Sequence, residues 1–140
     1  MDWYLIGQKL ESLRRCVRRV EEKCPQEMAS LFEVFDAQDI LALNLTRAVQ
    51  LCVDIGAHLV ADTQLPPPDS ISQTFDILQE AGIISVELSG RMKKAVGFPN
   101  LAVPNYDAIN WAIVYAIARY RMTDFEDFAR AVVIASQQGL

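Results

Sequence analysis

The segment from Asp36 to Asp62 constrains the fold more than any other part of this sequence. Ile40, Leu41, Leu43, Leu45, Val49, Leu51, Val53, Ile55, Leu59 and Val60 all fall within it. Wound as an α-helix, these residues cover most of the circumference. A helix apolar on nearly every side belongs at the centre of a bundle or beneath a second subunit. At 1.5 Å per residue it would run roughly 40 Å, with Asp36 as its N-cap.

The rest of the chain supplies helices to surround it. Ile6, Leu10, Leu13, Val17, Val20 and Cys24 recur at alternating steps of four and three, which sets them on one stripe of a first helix ended by Pro25. Arg14, Arg15, Arg18 and Arg19 fall off that stripe and read as a solvated basic face, with Arg15 one turn from Glu11. Pro66-Pro67-Pro68 is a stiff break. Ser70 or Ser72 then caps a short helix that turns Ile71, Phe75 and Leu78 inward and ends near Gly82. Another helix spans about Val86 to Val96, with Gly97 as its stop. Pro99 and Pro104 punctuate the next segment, and Asp107 or Asn105 caps a fifth helix through about Met122. Thr123 caps a sixth, from Asp124 to about Ser136. No period-two alternation marks a strand. The expected fold is a single all-α domain over residues 1–140, an up-and-down bundle of about five to six helices. Its apolar surface exceeds what one bundle readily covers, which predicts a homodimer.

Composition removes several function classes. With 140 residues, 51% of them apolar, the chain can bury one sizeable core. Cys16, Cys24 and Cys52 are an odd set without metal-ligand spacing, as expected of reduced thiols in a cytoplasm. Met1-Asp2-Trp3 gives no basic lead for a secretory signal. The nearly apolar run Ala108–Ala118 is interrupted by Asn110 and too short to cross a bilayer, so no membrane partner is expected. His58 is the single histidine, which rules out chemistry needing two imidazoles from one chain. On its apolar helix it reads as a satisfied interior or interface side chain. Asp39, Asp54 and Asp76 read as capping, paired or solvent-facing. The glycines are isolated, so no phosphate loop forms, and neither a metal nor a cofactor is expected.

The charge is uneven. Residues 36–90 hold eight acids against one base, Arg47, whereas residues 91–140 hold six bases against four acids. A net charge of −5 argues against a dedicated DNA binder. Two local basic groups remain, the four arginines of the first helix and Arg91, Lys93 and Lys94. On the residues alone, the chain is a helical bundle that associates.

Three stretches add a family resemblance. They are Gln38-Asp39-Ile40 through Asn44-Leu45-Thr46-Arg47-Ala48-Val49-Gln50, then Pro66-Pro67-Pro68 through Phe75, then Lys94-Ala95-Val96-Gly97-Phe98 into Tyr106-Asp107. In this order and spacing the chain resembles the HEPN family in its HepT-like branch, over about residues 8 to 134. The resemblance implies a helical bundle, usually homodimeric, paired with a minimal nucleotidyltransferase as toxin and antitoxin. The toxin activity it implies is metal-independent RNA cleavage.

That family's signature is Arg, four residues, His, one residue, Tyr. A histidine can take the proton of a ribose 2′-hydroxyl, and an arginine fork can stabilise charge on the phosphoryl oxygens. In register with Gly97-Phe98, the Arg position is Pro99, the His position is Pro104, and Tyr106 closes the motif. Proline offers neither base nor donor, so ribonuclease activity is expected to be weak or absent and RNA is left open as a partner. Arg91, Lys93 and Lys94, just before the motif, are the candidate RNA contacts. The resemblance makes Tyr106 the residue to which a partner nucleotidyltransferase attaches AMP; the alternative is a half-buried tyrosine at the bundle end with its hydroxyl wet. The alternative function is a non-catalytic binding or regulatory subunit of a nucleotidyltransferase, and a weaker one is a plain dimeric scaffold.

Overall fold

The computed structural model describes residues 1–97 and 109–139, and every regular element among them is helical. In chain order they are α1 (Trp3–Lys23), α2 (Met28–Glu33), α3 (Phe35–Ala61), α4 (Ile71–Glu80), α5 (Val86–Val96), α6 (Trp111–Tyr120) and α7 (Met122–Gln137). The all-α reading holds, with seven described helices where five to six were expected. The additional one is α2, a short helix with one buried residue, Leu31.

The α3 helix is the hub, and all six other helices pack against it. Its buried face includes Leu41, Leu45, Ala48, Cys52, Ile55 and Leu59. By length and composition α3, unlike the shorter run Ala108–Ala118, could also cross a membrane; here it is the core helix of the bundle. The N-terminal amine lies 3.7 Å from Asp62, and Lys9 lies 3.7 Å from Asp54. These pairs step in opposite directions along the two chains, so α1 and α3 run antiparallel. The α1 stripe faces α3, with Ile6, Leu13, Val17 and Val20 buried and Leu10 and Cys24 at its margin. Phe75 of α4 and Phe128 of α7 meet edge to face at 5.8 Å and close the far side of the core.

Several helix ends differ from expectation. Val34, not Asp36, occupies the N-cap of α3 and makes no side-chain cap. Asp36 lies in the first turn, where its charge complements the helix dipole. Ser70, not Ser72, caps α4 by accepting from the Gln73 amide at 3.1 Å, and Gln73 in turn accepts from the Asp69 amide at 2.7 Å. Ile71 in that first turn is about half exposed, so the inward face of α4 begins at Thr74 and Phe75. Gly82 adopts a positive φ of 78°, which ends the α4 turn as expected of glycine. Ser85 caps α5 through the Leu88 amide, and α5 stops at Gly97. Asn110 caps α6 through the Ile113 amide; the expected caps Asn105 and Asp107 lie outside the described residues. The α6 helix ends at Tyr120 rather than Met122, because Arg121 breaks the ladder and Met122 turns into the core. Thr123 therefore lies inside α7 rather than at its cap.

Side-chain placement also corrects two expectations. His58 is exposed, not interior. Arg14, rather than Arg15, pairs with Glu11 at 3.1 Å. The three aspartates behave as expected: Asp54 and Asp76 are paired and Asp39 is exposed.

Two glycines carry opposite forecasts. A Cβ on Gly56 would stand 2.9 Å from the Thr74 methyl, where α3 and α4 touch. A Cβ on Gly90 in α5 would meet nothing within 4 Å. Gly56→Val should lower unfolding free energy by about 1–3 kcal/mol, and Gly90→Ala should raise it by about 0.5–1 kcal/mol. Urea melts of both variants check this.

Candidate functional site

The residues that α5 presents near its end are held by two neighbouring helices. Arg91 reaches α7, where its Nη1 donates to Asp124 at 2.9 Å and to Asp127 at 3.0 Å. Its Nε lies 3.5 Å from Glu87 one turn back, an ion pair without hydrogen-bond geometry. The Asp124 side chain is 8% exposed and that of Arg91 26%, so this is a largely buried pair. The hydrogen bond to Asp124 holds the Arg91 guanidinium above its already high ordinary pKa, which fixes its charge at any physiological pH. Lys93 reaches the other way, to Asp76 of α4 at 2.7 Å.

Arg91 and Lys93 were the expected RNA contacts together with Lys94, and the structure separates the three. Arg91 is a strut between α5 and α7, and Lys93 is a strut between α5 and α4. Lys94 is exposed. It lines a shallow hollow shared by α5, α6 and α7, which also contains Arg121. Arg121 was missed in the sequence because it sits at an interruption between helices that has neither glycine nor proline to mark it. Lys94 and Arg121 both face solvent. Pro99, Pro104 and Tyr106 lie outside the described residues, between the end of α5 and the start of α6. Among the described residues no group of three or more His, Cys, Asp or Glu could hold a metal ion.

The thiols show no sign of chemistry. Burial pushes Cys16, Cys24 and Cys52 above their ordinary values, Cys52 most strongly, and all three are free.

Comparison with known proteins places this architecture. A family model described as "Ribonuclease HepT-like" matches residues 10–132. The chain belongs to the HepT-like ribonuclease family. It is 32% identical over 124 residues to the mRNA nuclease HepT of Shewanella oneidensis, covering 89% of this chain and 92% of that one. A toxin–antitoxin crystal structure with AMP-PNP superposes with a TM-score of 0.81 at 32% identity, covering 92% of this chain and 97% of its counterpart. The tri-AMPylated Shewanella oneidensis HEPN toxin in complex with its MNT antitoxin gives 0.80 at 31% identity, covering 92% and 96%. The family resemblance drawn from the three sequence stretches and the helical HEPN fold it implied are both upheld.

The Arg91 strut has a measurable consequence. Arg91→Met leaves Asp124 buried without its cation and should cost about 3–5 kcal/mol. Adding Asp124→Leu should recover much of that loss. Lys93→Ala, which removes a more exposed pair, should cost less than about 1 kcal/mol. Chemical denaturation of the four proteins gives the comparison.

Proposed function

We propose that this chain is the toxin-type member of a toxin–antitoxin module, a HepT-like homodimer that binds a minimal nucleotidyltransferase and has little or no ribonuclease activity. The observation that carries this reading is family membership over residues 10–132 combined with proline at positions 99 and 104. Relatives of this length are an mRNA nuclease and a toxin bound to its antitoxin, which supports a common role. Loss of a general base typically lowers a rate by about 10²–10⁴, and loss of an oxyanion donor costs a comparable factor. Pro99 and Pro104 remove both at once. Of the expected RNA contacts Lys94 is the exposed one, and Arg121 lies in the same hollow. Three free thiols suit a cytoplasmic setting.

The pairing of two copies is supported by apolar surface left uncovered at the start of α3. Phe32 and Val34 are about half exposed, and Phe35 is 71% exposed. Tyr106 is the proposed acceptor of AMP. Its phenolic oxygen would bond to the α-phosphorus of ATP, pyrophosphate would leave, and the phenol proton would pass to solvent. One relative is itself AMPylated, in keeping with this reading.

The test is restoration. Pro99→Arg with Pro104→His should yield a protein that cleaves RNA without added metal and is toxic on expression. A folded but inert double variant would favour the other reading, a non-catalytic regulatory subunit. Incubation of the original chain with its cognate nucleotidyltransferase and ATP should add AMP mass, and Tyr106→Phe should abolish that gain. No mass change on the original chain would remove Tyr106 as acceptor.

A further inference from the structure

Between α1 and α3 lies a groove of about 640 Å³ whose described lining comes from these two helices. Arg15 and Arg19 enter it from α1, one helical turn apart, and Arg47 enters from α3. None of the three has a carboxylate within ion-pair distance among the described residues. Arg47 is the single base in a stretch with eight acids, yet it forms an ion pair with none of them and shares this groove with two arginines. Three unpaired guanidiniums lining one concavity repel one another until an anion sits among them. Their field reaches the groove wall: burial raises the Cys16 thiol, while Arg47 and Arg15 pull it back down.

The rest of the lining narrows the ligand. Leu43, half exposed, and Leu51 give an apolar bed beside the cations. Asp39 lies about two turns before Arg47. A carboxylate there disfavours a second phosphate but accepts hydrogen bonds from ribose hydroxyls. The volume lies within the range of small-molecule sites.

We propose that this groove binds a nucleoside phosphate, with its phosphate on Arg15, Arg19 and Arg47, its ribose toward Asp39 and its base on Leu43 and Leu51. The nucleotide can be free or a unit of an RNA strand; both present the same chemistry. The site goes beyond the proposed toxin role and needs no cleavage, so it can be measured whether or not the chain cuts RNA.

The test uses the full chain, ATP by calorimetry, and a labelled single-stranded oligoribonucleotide by anisotropy. The groove variant is Arg15→Gln/Arg19→Gln/Arg47→Gln. The control is Arg14→Gln/Arg18→Gln/Arg130→Gln, which removes equal charge from the opposite α1–α7 groove. Circular dichroism confirms that both keep the helical fold. The groove variant should weaken binding by about tenfold or more, and the control should leave it nearly unchanged. For the oligoribonucleotide, the slope of log affinity against log salt should shrink by about 2, the value for three phosphate contacts on a single strand. Loss of ATP affinity identifies a free-nucleotide site; loss confined to the oligoribonucleotide identifies an RNA site. Equal weakening in both variants, absence of binding by either probe, or a changed sedimentation coefficient in the groove variant would overturn the proposal, the last by showing that a second copy fills the groove.

Discussion

Burial of α3 is the constraint on which the rest of the molecule depends. A helix apolar on most sides has to be enclosed, and six shorter helices enclose it. Enclosure leaves polar groups at the seams, and side-chain hydrogen bonds to carbonyls satisfy several of them. Gln38 donates to the Leu31 carbonyl at 3.0 Å and fastens α2 to α3. Ser89, fully buried, donates to the Phe75 carbonyl and fastens α5 to α4. Tyr115 donates through its hydroxyl to the Gln26 carbonyl at 2.7 Å and ties α6 to the α1–α2 turn. Each satisfied group avoids the roughly 1–3 kcal/mol that a buried orphan costs, so the hydrophobic enclosure and the polar seams support one another.

The parts of this fold that were legible in the sequence are those set by long periodicity. The α1 stripe and the α3 circumference extend over many turns, and their pattern survives local exceptions. What could not be read is short or non-local. The α2 helix is six residues long and buries Leu31 alone, which leaves no period to detect. The α6–α7 break falls at Arg121 without a helix breaker, because the turn of Met122 into the core decides it. The N-termini of α3 and α7 carry no side-chain cap, so cap chemistry gave Asp36 and Thr123 roles that packing assigns elsewhere.

The candidate site was legible in a different measure. Pro99, Pro104 and Tyr106 were assigned through the family resemblance and lie outside the described residues. The roles of the cations on α5 could not be read, because their partners are remote. Arg91 finds Asp124 and Asp127 33 and 36 residues later, and Lys93 finds Asp76 17 residues earlier. A run of basic residues read as an open patch thus becomes two struts and one exposed lysine. The α1–α3 groove was hidden for the same reason, since Arg47 stands far from Arg15 and Arg19 in sequence and meets them only after the helices pack.

These placements bear on how the shorter helices are held to one another around α3. The struts from Arg91 and Lys93 draw on α4 and α7. They fasten α5 to both neighbours through side chains carried on regular helices. The groove between α1 and α3 is separate from these ties, because its cations are carried by α1 and α3. Ties of this kind, made between helices and not within one, hold α5 on both sides while the apolar core beneath them is closed around α3.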